Sequence, residues 1–93
     1  MEILGYRLDQ TCGACPEQYD VYDRENEIVG YLRLRHGYFS ADYPNASGKT
    51  VYESQTIGDG MFDSSERSEH LFKAVWAINA AIGWKHYFDS WVN

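Results

Sequence analysis

Cysteine is scarce in this sequence: of 93 residues only Cys12 and Cys15 carry a thiol, and both sit in one short stretch. Two thiols cannot build the framework of bridges that staples a small secreted domain, so stability must come from a hydrophobic core. Basic residues are few as well, 8 Lys and Arg against 14 Asp and Glu, for a net charge of −6. So few cations argue against direct nucleic-acid binding through a phosphate-neutralising surface. The excess of acid fits a basic protein partner, or simply solubility. No apolar run approaches the roughly 20 residues of a membrane span. The opening Met1-Glu2-Ile3-Leu4-Gly5-Tyr6 lacks the basic and long apolar regions of a signal peptide, so a soluble cytoplasmic protein is expected. Ser-His-Asp sets, phosphate-cradling glycine loops and His-Glu-x-x-His are absent too. Neither enzyme activity nor a cofactor is therefore expected.

What the chain has is aromatic bulk, 16% Phe, Trp and Tyr within a hydrophobic content of 44%. That is ample for one folded domain spanning residues 1–93. Residues 28–43 (IVGYLRLRHGYFSADY) hold two alternating runs joined at His36-Gly37, the pattern of a β-hairpin. Folding about that turn sets Leu34 beside Phe39 and Leu32 beside Ala41 on an apolar face. The other face receives Arg35 with Tyr38, Arg33 with Ser40 and Tyr31 with Asp42. A second turn at residues 24–27 places Val21 opposite Gly30 and Tyr19 opposite Leu32, extending the same apolar face. Residues 2–9 and 50–57 read as further strands. The parity of the last stays open, one choice burying Val51 and Ile57, the other Tyr52.

Asp63 and Glu66 form Asp-x-x-Glu, a capping signal that starts a helix over residues 64–82. Leu71, Val75, Ile78 and Ile82 recur at helical spacing, with Phe72, Trp76 and Ala80 beside them in one wide apolar stripe. Glu66, Arg67, Glu69, His70 and Lys73 fall outside it, and Gly83 is a stop signal. Beyond it the aromatic tail, residues 84–93, is expected to close one end of the sheet, with homodimerisation through Trp84 and Trp91 as the alternative. The fold expected is α+β: a curved antiparallel meander of four to five strands (about 2–9, 18–23, 28–35, 38–43 and 50–57) under one long C-terminal helix.

Three groups carry chemistry. Cys12-Gly13-Ala14-Cys15 could chelate zinc or cycle as a disulfide. A strand follows it, however, not the helix that lowers a thiol pKa, and His36, His70 and His86 are scattered; plain loop cysteines explain it as well. Tyr31, Arg33, Arg35 and Tyr38 could take an anion or a flat ring, unless Asp20 and Asp42 pair with the arginines. Asp59, Asp63, Glu66 and Glu69 gather at the helix start, where the macrodipole favours acids with no metal required.

The segments 19–23 (YDVYD) and 29–39 (VGYLRLRHGYF) resemble a group of small proteins of Gram-positive bacteria and of their phages and mobile elements, over about residues 19–78. That resemblance brings no active-site residues, because the group has no assigned chemistry. By analogy its setting, small size and acidity are similar to those of anti-CRISPR inhibitors, which occupy basic nucleic-acid channels with ordered carboxylates. It implies a non-enzymatic, acidic protein-binding module that inhibits a nucleic-acid-handling defence enzyme in the host cytoplasm. Contact would run through the acidic edge of Asp59, Asp63, Glu66 and Glu69, or through the polar sheet face, with Trp84 and Trp91 as further partner-binding residues. The alternatives are an anion- or small-ligand-binding domain using Tyr31, Arg33, Arg35 and Tyr38, and a zinc-stabilised or redox protein built on Cys12 and Cys15.

Overall fold

The structure, a computed structural model, describes residues 1–12 and 16–92, the side chains of residues 12 and 88–92 excepted. Alternating sequence becomes strand throughout the first two thirds of the chain. β1 (Glu2–Ile3), β2 (Tyr6–Cys12), β3 (Glu17–Tyr22), β4 (Ile28–Arg35), β5 (Tyr38–Tyr43) and β6 (Lys49–Gln55) form one sheet, each strand antiparallel to the next in chain order. Among the described residues a single helix, α1 (Arg67–Val92), packs on it over β5 and β6 and more lightly over β4. The architecture is the α+β meander expected, with six strands in place of four or five.

The extra strand comes from Leu4-Gly5. Both residues have positive φ, 54° and 85°, and so fold residues 2–9 back on themselves as a two-residue hairpin. Leucine is an unusual occupant of such a turn, which is why alternation alone runs straight through it. The His36-Gly37 turn has the same positive-φ form, and β4 and β5 pair in the register anticipated, Leu34 with Phe39 and Leu32 with Ala41. β3 pairs Tyr19 with Leu32 and Val21 with Gly30, also as expected. In β6 the question of parity dissolves. A bulge opposite Ala41 and Asp42 turns both Val51 and Tyr52 toward the helix, while Ile57 beyond the strand is 79% exposed.

The core is the helix-facing side of the sheet, Leu8, Tyr19, Val21, Leu32, Leu34, Phe39 and Ala41, closed by Leu71, Ala74, Val75 and Ile78 of α1 and by Phe62. Each fully buried large side chain contributes about 1.5–3 kcal/mol. Gly30 lets the layers meet: a Cβ there would lie 2.4 Å from Cδ1 of Ile78.

The helix boundaries differ from those expected at both ends. Residues 64–66 form a turn, and α1 begins at Arg67. At the other end it runs through Gly83, which has no positive φ. Glycine stops a helix by taking the left-handed conformation; held helical, it costs only about 1 kcal/mol. The result is a helix of 26 residues, about 39 Å long, on strands of at most eight residues, about 26 Å. Among the described side chains the last fully buried one on the helix is Ile78, and 83–87 are exposed. Trp84 and Tyr87 stay largely exposed, although Trp84 flanks a hollow with Tyr43, Pro44 and Gly48 at the end of the sheet; the side chains of the rest of the tail lie outside the described residues.

Candidate interaction surface

The polar groups at the start of α1 are built into the fold. Glu66 is 7% exposed, and its carboxylate accepts hydrogen bonds from the amides of Ile57 (2.8 Å), Gly58 (2.8 Å) and Asp63 (3.0 Å). Nε2 of His70 lies 3.2 Å from it and Nδ1 2.9 Å from Ser54 Oγ, so the imidazole ties the loop to β6. Burial pushes the Glu66 carboxyl up, but those amides and His70 outweigh it and hold the group at about 2. The reach-back half of the capping box thus forms, though Glu66 and His70 lie inside the fold and not on the open face expected. Asp63 completes the cap by accepting from the Ser65 amide and hydroxyl.

A second buried acid is Glu17, 1% exposed at the start of β3. Arg67 binds it twice, through Nε (2.9 Å) and an Nη (3.1 Å), while the Phe62 amide (3.1 Å) and the Tyr19 hydroxyl also donate to it. Burial pushes this carboxyl up too, but the Arg67 and Tyr19 bonds outweigh it and leave the group below its ordinary range. Burial and the Glu17 carboxylate together push the Tyr19 phenol far up, so it stays a donor. This cluster anchors β3 to the first turn of α1. Sequence reasoning missed it because its members are 50 residues apart.

The acidic edge is accordingly thinner than expected. Asp59 and Asp63 are exposed, Glu66 is turned inward, and Glu69 is held by Lys73 at 2.8 Å one helical turn on. Among the described residues no three His, Cys, Asp or Glu side chains are grouped as a metal would need. Cys15 and the Cys12 side chain lie outside the described residues, as does the Trp91 side chain.

On the far face of the sheet Tyr31, Arg33, Arg35 and Tyr38 do come together, with His36, Ser40 and Asp42, around a concavity of about 380 Å³. The expected arginine–aspartate pairs do not form: among the described residues neither Arg33 nor Arg35 has a carboxylate within ion-pair distance. The register explains this. Asp20 and Asp42 both stand opposite Tyr31, one on each side, and Asp42 accepts from Thr50 Oγ1 at 2.7 Å. The Tyr31 hydroxyl donates to Gln18 (2.8 Å) and that of Tyr38 to Glu53 (2.7 Å).

The largest departure lies on the outer face of α1. At 100° per residue Phe72, Trp76, Ala80, Gly83 and Tyr87 centre about 130° round the helix from Leu71, Val75, Ile78 and Ile82, with Trp84 at their flank. One wide stripe was expected; the helix has two, one buried and one turned outward. Phe72 is 48% exposed, Trp76 59%, Trp84 61% and Tyr87 50%. The Trp84 and Tyr87 rings meet edge to face at 5.8 Å. Val51 and Tyr52 of edge strand β6 continue the surface, lining a groove of about 380 Å³ with Phe72, Trp76 and Ala77. Among the described residues no helix is long and apolar enough to cross a membrane. The signal for this face was in the sequence, as a second helical period offset by about a third of a turn from the first.

Comparison with protein-family models, with curated proteins and with solved structures finds no match in any of the three. What the surface does must be read from its own geometry.

Proposed function

We propose that the protein is a non-enzymatic protein-binding module whose interface is the outer face of α1. The observation that carries this reading is a surface helix apolar on both sides. A helix of that kind is stable in water when both sides are covered, and here the sheet covers one. The titratable clusters add to it from the other direction: Glu17, Glu66 and His70 are bound within the fold rather than poised for chemistry. Replacing Phe72→Glu and Trp76→Glu together tests the reading, with wild type and variant used in parallel as bait on host proteins. The variant, with unchanged far-ultraviolet circular dichroism, is expected to lose the proteins wild type retains. Equal retention by both, with the oligomeric state of the two also the same, overturns it.

One observation favours a second reading. In a chain of net charge −6, Arg33 and Arg35 are left without carboxylates beside a tyrosine-lined hollow, which suits a planar anion held in bidentate fashion. Thermal-shift titration with inorganic phosphate, nucleotides and dicarboxylates tests it. A rise in Tm that Arg33→Gln and Arg35→Gln abolish supports it, and no rise with any of these anions dismisses it.

A further inference from the structure

We infer that the occupant of the outer face of α1 is a second copy of this chain, its helix laid antiparallel to the first about a two-fold axis at Ala80. This deepens, and rests on, the protein-binding reading above.

The face is self-complementary about that residue. An antiparallel pairing centred on Ala80 sets Trp76 against the partner's Trp84, Ala77 against the partner's Gly83 and Lys73 against the partner's Tyr87, each contact occurring twice. Ala77, Ala80 and Gly83 at the centre keep side-chain bulk out of the crossing, so the axes can approach to about 8–10 Å. The tryptophans wall the crossing on either side, in the offset or edge-on contacts aromatic pairs favour. The ammonium of Lys73 meets the ring of Tyr87 at each end, while Glu69 at 2.8 Å keeps its charge compensated.

Charge selects the same face. Two chains of net charge −6 repel, so a stable contact between copies needs a surface without carboxylates. From Trp76 to Tyr87 the outer face consists of Trp76, Ala80, Gly83, Trp84 and Tyr87 with Asn79 at its margin, and bears no charge. Apart from Asp89 near the helix end, whose side chain lies outside the described residues, the acidic residues lie on the sheet, in the turns and at the helix start.

The area is also sufficient. Four aromatic rings about half exposed leave on the order of 100 Å² each, so two copies contribute roughly 800 Å² from rings alone. The alanines, helical backbone and Lys73 stems bring the total to about 1,200 Å², the lower bound for a specific interface. The product is a closed four-layer particle, sheet–helix–helix–sheet, because the sheet packs on the inner face of α1 and leaves Trp76, Trp84 and Tyr87 exposed.

Sedimentation equilibrium from about 1 to 500 μM tests the inference on the full chain. Wild type is expected to show twice the chain mass at the upper end and dissociation on dilution. Ala80→Arg, which sets two guanidinium groups against each other at the axis, is expected to raise the dissociation constant at least 100-fold with unchanged circular dichroism. In a background with Cys12→Ser and Cys15→Ser, Ala80→Cys reports the register without relying on that variant's fold. It is expected to oxidise to a disulfide-linked dimer, whereas Asn79→Cys, off the axis, is not. A wild-type chain monomeric throughout overturns the inference, and so does a dimer that Ala80→Arg leaves intact. Retention of host proteins by the Phe72 and Trp76 surface is read separately, so a monomer that still loses them on substitution sinks only the second copy.

Discussion

The two faces of α1 are made of similar residues and meet opposite fates. Inward, Leu71, Val75 and Ile78 are fully buried against the sheet; outward, Phe72 and Trp76 stand about half exposed one residue further along the same helix. Hydrophobicity alone therefore does not say which side is core. What decides is shape. Branched aliphatic side chains and Ala74 fit the closely approached, Gly30-relieved floor of the sheet, and the flat bulky rings are left on the side with no floor. The inner face is a solution to folding, and the outer face is apolar surface that folding does not use.

Substitutions that treat the two faces alike should separate them widely. Leu71→Ala is expected to cost about 2–5 kcal/mol of unfolding free energy, by transfer loss and cavity, measured by urea denaturation. The polar lattice under the inner face comes next. Glu66 is held at about 2 while an unfolded glutamate titrates near its ordinary value, so the unfolded chain binds the extra proton. Stability is then complete above about pH 5 and is lost as pH falls through the window down to about 2, by on the order of 2 kcal/mol from this group. Denaturation midpoints against pH should show that slope, and Glu66→Gln should flatten it. A profile unchanged by Glu66→Gln would break the assignment of the slope to this carboxylate. Smallest is the outer face: Trp76→Ala is expected to stay within about 0.5 kcal/mol of wild type at micromolar concentration. If it costs as much as Leu71→Ala there, the outer face belongs to the core and the contrast fails.

Much of this was legible in the chain. The β3–β4–β5 register followed from two turns whose alternation agreed, and the Asp63–Glu66 cap from its spacing. Such features are local or nearly so. The Leu4-Gly5 turn was missed because an unfavourable residue is held there by neighbours, among them the Met1 carbonyl that accepts from the Leu8 amide at 2.8 Å. The Glu17–Arg67 anchor was missed because nothing in either residue's neighbourhood announces the other. At the candidate surface the aromatic residues were noticed, but Phe72 and Trp76 were assigned to the core.

Sequence by itself determined the meander and the helix on it, because side-chain period and turn chemistry act over a few residues. Only the tertiary structure decided which face the sheet takes, that Glu66 turns inward, and that Arg33 and Arg35 go without carboxylates. Those outcomes depend on layer spacing, strand length and register offsets between segments far apart in the chain, and no local pattern encodes them.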